Sequence, residues 1–514
     1  MKNLFVIIFA VCCLAGCNDS GNNQIQNYYI NALNGNDDNS GKSEKEAWRS
    51  LQNISKHDIR PGDSIILISG AIFKESLIIK DLNGTAEKPV VITSKGDSSA
   101  AIHSGDSLAI LATNCSYLKI ENIKTLGSGR LKGNKTNGIE LFKCRNSQLD
   151  RLSASGYLYT GIKVTGGNNI RITGCYASDN GFCGIFADSG EKEYGKDGSA
   201  YKTMRNLYIS NCVADNNPGC PVIKDNHSGN GILVAGVING LIEHCEAMNN
   251  GWDMPREGNG PVGIWAYMCD SIIIQHCYAH HNKTSPKGKD GGGFDFDGGI
   301  RYSVFQYNLS AFNEGAGYGI FQYAGATEWT DNIARYNISY NDGSKNSNAG
   351  IFVWCDPAAE KMKNFSAYNN TIINSFGHGV SFDPNFYENF KFENNIYLVS
   401  VQTDNFIGGD NYSGQEFENN LYWCEPLSAE AVKRLVNKLD KKAVVGDPKL
   451  VNHPEGSSLL NNPFKPELLG FFTIQKGSAA TGAGKITGDN AVMDFWKNPI
   501  DNNGTLNIGA WQGK

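Results

Sequence analysis

Apolar and polar positions alternate along this chain in short stretches that open on glycine, and the stretches recur. They read GIKV from Gly161, GIFAD from Gly184, GILVA from Gly231, GIWAY from Gly263, GFDFD from Gly293, GIFQY from Gly319, GIFVW from Gly350 and GVSFD from Gly379. Strict alternation is the signature of a strand with one face in a core and the other outside. Between these stretches lies a second repeated segment. One of its columns holds Cys175, Cys212, Cys245, Cys277, Asn308, Asn337 and Asn369. A second holds Asn180, Asn217, Asn250, Asn282, Asn313, Asn341 and Asn374. The period of roughly 30 residues belongs to solenoids and propellers. Propeller blades need four strands and about 40 residues or more, whereas a coil of two or three strands with tight turns fits here. The pattern predicts an all-β parallel β-helix.

In such a coil equivalent residues stack. The Asn column becomes a row of identical turns whose amides bond one another along the axis. The Cys column becomes a row of thiols ~4.8 Å apart, beyond the usual Cβ separation of a disulfide, so Cys175, Cys212, Cys245 and Cys277 are expected to be free core residues. Composition agrees with strands and turns, with 59 Gly, 22 Tyr and only 19% charged residues. One segment, SAEAVKRLVNKL from Ser428, reads as a helix with Ser as its N-cap. A net charge of -6 offers no general attraction to nucleic acid or to acidic polymers.

The chain opens MKNLFVIIFAVCCLAGC, with a basic head, an apolar run and a cysteine directly after small residues. That stretch resembles the lipobox of bacterial lipoproteins. The resemblance implies a signal of residues 1–17, lipid on Cys17, and anchorage in the cell envelope without spanning it; the chain is expected to be a monomer. Further on, YYINALNGNDDNSG from Tyr28, AWRSLQNI from Ala47 and PGDSIILISG from Pro61 resemble the start of right-handed parallel β-helix proteins of the pectate-lyase-like superfamily. DFWKNPIDNNGTLNIGAW near the end is similar to their closing segment. The resemblance implies a right-handed coil with terminal caps: residues 18–425 as β-helix with an amino-terminal cap, and 426–514 as a carboxy-terminal capping region of the same domain.

One rung is unlike its neighbours. In GFDFD the alternation puts Phe294 and Phe296 in the core and Asp295 and Asp297 outside. Neighbouring rungs then bring out Trp265 and Tyr267, Phe321 and Tyr323, Phe352 and Trp354, and lastly Asp383. Two acids in a strip of exposed rings are expected to bind something, and flat rings edged by polar groups suit sugars. The loops before these strands lengthen over the same rungs and should wall a groove with Lys224, His227, Arg256, Lys289 and Asp290.

Two chemistries fit such a groove. Residues i and i+2 of a strand set carboxylates roughly 7 Å apart, inside the window of roughly 6.5 to 9.5 Å used by inverting glycoside hydrolases. Asp295 and Asp297 would then be acid and base. Alternatively, HHN at 280 to 282 before an acidic, Gly-rich strand is similar to the calcium rung of family-nine pectate lyases. That resemblance implies Ca²⁺ on Asp290, Asp295 and Asp297 and β-elimination from a polysaccharide. The lysine base of those lyases has no counterpart on the next strand, so Arg301, Lys224, Lys289 or a loop histidine would have to serve. Hydrolysis is favoured because the acids are present. A glycan-binding surface protein without turnover is the third reading.

Overall fold

The computed structural model describes residues 25–513 except 196, 384–385, 401–405, 410–413, 426, 452–469, 488–490 and 502–503. Cys17, the expected lipidation site, lies outside the described residues. Among the described residues no helix is long and apolar enough to cross a membrane.

The chain winds as a right-handed parallel β-helix, and every sheet pairing between its strands is parallel. Among the described residues, three long sheets run along the axis, of fourteen, twelve and fourteen strands. A single turn shows the plan: Asn168–Thr173 lies in the first sheet, Tyr176–Ser178 in the third and Cys183–Asp188 in the second. Inward positions fill the coil with Ile, Val, Leu, Ala and Phe in one continuous core. At the amino end Trp48, stacked on Tyr28 at 5.1 Å, and the short 3-10 helix Leu51–Lys56 close that core.

The two columns are real ladders. Asn180 donates its amide to Asn217 Oδ1 (3.1 Å), Asn217 to Asn250 (2.8 Å), Asn250 to Asn282 (2.9 Å), Asn282 to Asn313 (2.9 Å) and Asn313 to Asp342 Oδ1 (2.8 Å). Each amide also donates to a backbone carbonyl of the preceding rung, such as Asn217 to Ala177 O at 3.3 Å. A buried amide is thereby satisfied on every side, which is what makes a polar column tolerable in a core. The other column passes from the thiols to Asn308, Asn337, Asn370, Asn395 and Asn420, and ends on Asp440. The expected members Asn341 and Asn369 stand one residue out of line, since Asp342 and Asn370 occupy the ladder positions. Asn341 and Asn369 instead take the left-handed turn conformation, at φ 52° and 53°. Asn, like Asp, tolerates both roles, so sequence spacing could not separate them. All eleven described cysteines are free and buried, among them Cys175, Cys212, Cys245 and Cys277, for which the stacking distance predicts it.

The helix Ala429–Val436 forms with Ser428 as its cap, the Ser428 hydroxyl accepting the Ala431 N–H at 3.2 Å. Beyond it, Phe472, Phe495 and Leu506 pack on the outer face of the third sheet against Tyr307, Tyr336 and Tyr368. Those three tyrosines are buried packing residues.

The strand register corrects the expected alignment at one rung. Phe294, Asp295 and Phe296 pair with Tyr318, Gly319 and Ile320, so the acidic strand aligns with the stretch opening at Gly317 and not at Gly319. A shift of two residues keeps the same faces in and out, so alternation could not detect it. Its effect is local: Gly319 stands beside Asp295, while Gln322 is carried into the buried end of the strand. There Gln322 accepts the Gly299 N–H at 3.0 Å and donates to Thr327 O at 2.9 Å.

Candidate active site

Two outward rows of the second sheet build the floor. One runs Leu233, Trp265, Asp295, Gly319, Phe352, Ser381. The other includes Ala235 and Tyr267, then Phe321, Trp354 and Asp383. Asp297 follows the acidic strand and donates its backbone N–H to Ala266 O at 3.0 Å, which continues the register and sets it beside Tyr267. Phe294 and Phe296 lie in the core, as alternation requires.

Over these rows lies a cavity of about 580 Å³. Its lining includes Asp290, Asp295, Asp297, Trp265, Tyr267, Phe321, Tyr323, Phe352, Trp354 and His227, all of them expected from sequence. The lengthened loops do wall it, through Arg256, Lys289 and Asp290. Residues with no sequence signal of their own complete it: Asn226, Asn259, Asn346, Ser347 and Tyr194. Tyr194 comes from the long connection between the strands Cys183–Asp188 and Met204–Ser210, and its hydroxyl meets the Tyr323 hydroxyl at 2.9 Å. The length of that connection was the signal available for it.

Gly319 is essential to the shape of the floor. A Cβ there would come within 2.8 Å of the Phe321 ring and 3.1 Å of Asp295 Oδ1. The missing side chain lets the Phe321 ring fold in beside Asp295. Phe321 in turn meets Phe352 and Trp354 edge-on, with centroids 5.6 and 6.4 Å away.

The three acids are held in unusual states. Asp295 is only 3% exposed, and its Oδ1 has no hydrogen-bond partner. Burial first, then the charges of Asp297 and Asp290, raise its pKa well above the carboxylate range. Asp297 is pushed up to about 7 by burial, with Asp290 adding to the rise and the Gly298 N–H (2.8 Å) opposing it. Asp290 is pushed up to about 6 by burial, against the Gly260 N–H (2.7 Å), Lys289 and Arg256. Buried like charges cannot all ionise together, so the site retains protons at neutral pH.

His227 stays neutral, its pKa lowered to about 4 by burial and then by Arg256. Its ring stands edge-on to Trp265 at 4.8 Å. Asn230 ties the two together: its amide donates to His227 Nδ1 (3.0 Å) and its Oδ1 accepts the Trp265 indole N–H (3.2 Å). A neutral imidazole whose Nδ1 accepts carries its proton on Nε2.

Two expected catalytic residues fall outside this site. Arg301 forks onto Asp270 with contacts of 2.9 and 2.7 Å, and Asp270 also takes the buried Lys202 at 2.6 Å. A guanidinium engaged that way stabilises structure and is not free to accept a proton. Lys224 is exposed on its loop and does not line the cavity. Among the described residues no three His, Cys, Asp or Glu side chains gather as a metal-holding group, and Asp290 and Asp297 accept the backbone N–H groups of Gly260 and Gly298. His280, expected beside that rung, lies in a strand of the third sheet and meets Glu246 of the neighbouring strand at 2.9 Å.

No family model matches the sequence. The chain is similar to a lacto-N-biosidase of Bifidobacterium longum subsp. longum, 22% identical over 90% of this chain and 34% of that protein. It therefore spans about a third of the length of that curated relative. Among solved structures it is similar to a GH136 lacto-N-biosidase from Eubacterium ramulus, with TM-score 0.53 and 18% identity over 78% of this chain and 67% of the other. A PL6 family alginate lyase, AlyGC, aligns with TM-score 0.51 and 13% identity over 84% and 54% of the two chains. At these identities the structural likeness speaks for the coil alone.

Proposed function

We propose that this protein is a glycoside hydrolase that cleaves a glycan in the cavity over Asp290, Asp295 and Asp297. The observation that carries the reading is three carboxyls of different proton affinity lining one ring-walled cavity, Asp295 and Asp297 on its floor and Asp290 on its loop wall. Glycoside hydrolysis needs one carboxyl protonated to assist the leaving oxygen and another ionised to act at the anomeric carbon or on a water. At neutral pH Asp295 keeps its proton, Asp297 titrates near neutrality and Asp290 is the first to ionise. In this reading Asp297 delivers its proton to the leaving oxygen, while Asp295 two residues before it stays neutral. Asp290, on the facing loop, supplies the carboxylate.

The rings perform the rest of the work. Trp265, Phe352 and Trp354 stack against pyranose faces and exclude water, which strengthens every electrostatic contact inside. Neutral His227 offers an N–H to a sugar hydroxyl. The hydrolases among the similar proteins support this class over elimination, which is further weakened by the engagement of Arg301 and the position of Lys224. Their name supplies the first substrate to try, a lacto-N-bioside.

The test is incubation of the purified protein with p-nitrophenyl β-lacto-N-bioside and a panel of plant, algal and host polysaccharides, beside Asp297→Asn. New reducing ends, without the ultraviolet absorbance of an unsaturated sugar and absent in the variant, are expected. An unsaturated product, or cleavage by the variant at the normal rate, would overturn the reading. The reading also includes anchorage to an envelope membrane through lipid on Cys17. Incorporation of a labelled fatty acid that is lost in Cys17→Ala is the corresponding measurement.

A further inference from the structure

An aromatic ledge lies on the outer flank of the loop wall, away from the acids. Trp252 begins the loop whose later residues Arg256, Asn259 and Gly260 line the cavity, yet Trp252 is not in the lining and is 45% exposed. Its indole N–H donates to Asn216 Oδ1 at 2.9 Å. The Arg130 guanidinium lies over its ring, 5.8 Å from the centroid. Arg130 is itself fixed by Asp253 Oδ2 at 2.6 Å and Gly219 O at 3.2 Å, with its side chain 9% exposed. Asn216 sits in a left-handed turn, φ 51°, and donates its own amide to Asp179 Oδ1 at 2.7 Å.

A second ring continues the ledge. Tyr176, 40% exposed, donates its hydroxyl to Asp215 Oδ2 at 2.9 Å, and Asn249 donates to Asp215 Oδ1 at 3.2 Å. Asp215 and Asn216 are consecutive, so the two hydrogen-bonded sets join through the backbone. The carboxy-terminal region packs on the outer face of this third sheet at Tyr278 and later rungs. Tyr176 belongs to an earlier rung of the same sheet and stays open.

Holding an exposed indole in one orientation costs side-chain entropy and leaves apolar area in water. Folding alone gains little from it. An ordered ring with amides and carboxylates at its edge is instead complementary to a pyranose, whose C–H face stacks while its hydroxyls donate to the acceptors alongside. The carboxylates Asp179 and Asp215 disfavour uronic or sialic acids there.

We propose that Trp252, Tyr176, Asp215 and Asn216 form a second glycan-binding site, selective for neutral oligosaccharides, that holds the glycan outside the cavity. It shares no residue with the cavity, and rests on the proposed function only in taking a sugar as ligand. The test uses the full chain carrying Asp297→Asn to prevent turnover, titrated calorimetrically with lacto-N-hexaose, with xylohexaose and with a galacturonan hexamer. Two molecules of a neutral hexasaccharide per protein are expected, falling to one, with at least a tenfold loss at the lost site, when Trp252→Ala is added. Trp252→Phe should retain both. In the otherwise unaltered protein, Trp252→Ala should leave the rate on the short p-nitrophenyl glycoside within twofold. Unchanged stoichiometry in Trp252→Ala and in Tyr176→Ala, with intact thermal unfolding curves, or tighter binding of the galacturonan, overturns the proposal. Failure to cleave any glycan alongside Trp252-dependent binding would remove the hydrolase reading and leave this one standing.

Discussion

Asp295 and Asp342 are buried carboxylates of the same coil, and they differ in what surrounds them. Asp342 is fully buried and ends an amide ladder, accepting the Asn313 backbone N–H (3.0 Å), the Asn313 amide (2.8 Å) and the Ser339 hydroxyl (2.7 Å). Asp295 is almost as buried, yet one of its oxygens has no partner and it faces a cavity. Burial raises the pKa of both. The partnered carboxyl completes the architecture. The unpartnered one faces the cavity instead, and leaving a buried polar oxygen unbonded costs stability.

The largest expected effect breaks the chemistry and leaves the architecture. Asp297→Asn should lower kcat by roughly 10³ or more, in the range of a lost general acid, with an unfolding temperature no lower than that of the parent. Asp342→Ala should do the opposite. Leaving the Asn313 and Ser339 donors unsatisfied is expected to destabilise the fold by about 3 kcal/mol, read from denaturant midpoints, while kcat at low temperature changes little. A pH profile sharpens the comparison further. kcat/KM should rise as Asp290 ionises around about 6 and fall as the proton on Asp297 is lost above about 7, a narrow bell.

Smaller effects follow from linkage. Asp295 has a folded pKa above its unfolded value, so the native state binds more protons over that interval and stability falls as pH rises through it. Asp295→Asn should therefore raise the unfolding temperature at pH ~8 and change it little near pH ~4, where the carboxyl is protonated in the native state. Absence of that pH dependence would mean that Asp295 is not held in its neutral form. Lys224→Ala, outside the cavity, should leave kcat/KM within twofold; a larger loss would place the lysine back in the mechanism.

Much of this was legible before any coordinates. Alternation in GFDFD assigned Phe294 and Phe296 to the core, and the recurrent rings marked the strip. Stacking distance marked Cys175, Cys212, Cys245 and Cys277 as free. Arg301 was misread because its partner Asp270 stands one rung away in a different segment, and no local pattern announces such a pair. Tyr194 and Asn346 reach the cavity from loops whose lengths were visible but whose paths were not. Asp290, Asp295 and Asp297 are close in sequence, but only the folded chain shows that Asp290 turns to the Gly260 N–H and Asp297 to the Gly298 N–H, while Asp295 Oδ1 has no hydrogen-bond partner.

Periodicity was sufficient for the coil, the inward and outward faces and the rung that carries the acids, because a strand's side-chain period is a local property and stacking repeats it without further instruction. Only the folded chain decided that Gly319 stands beside Asp295, that Gln322 is buried and that the loops close over the rings. A two-residue slip conserves the alternation, and a loop's path depends on contacts made across many residues of sequence, so neither could be settled by pattern.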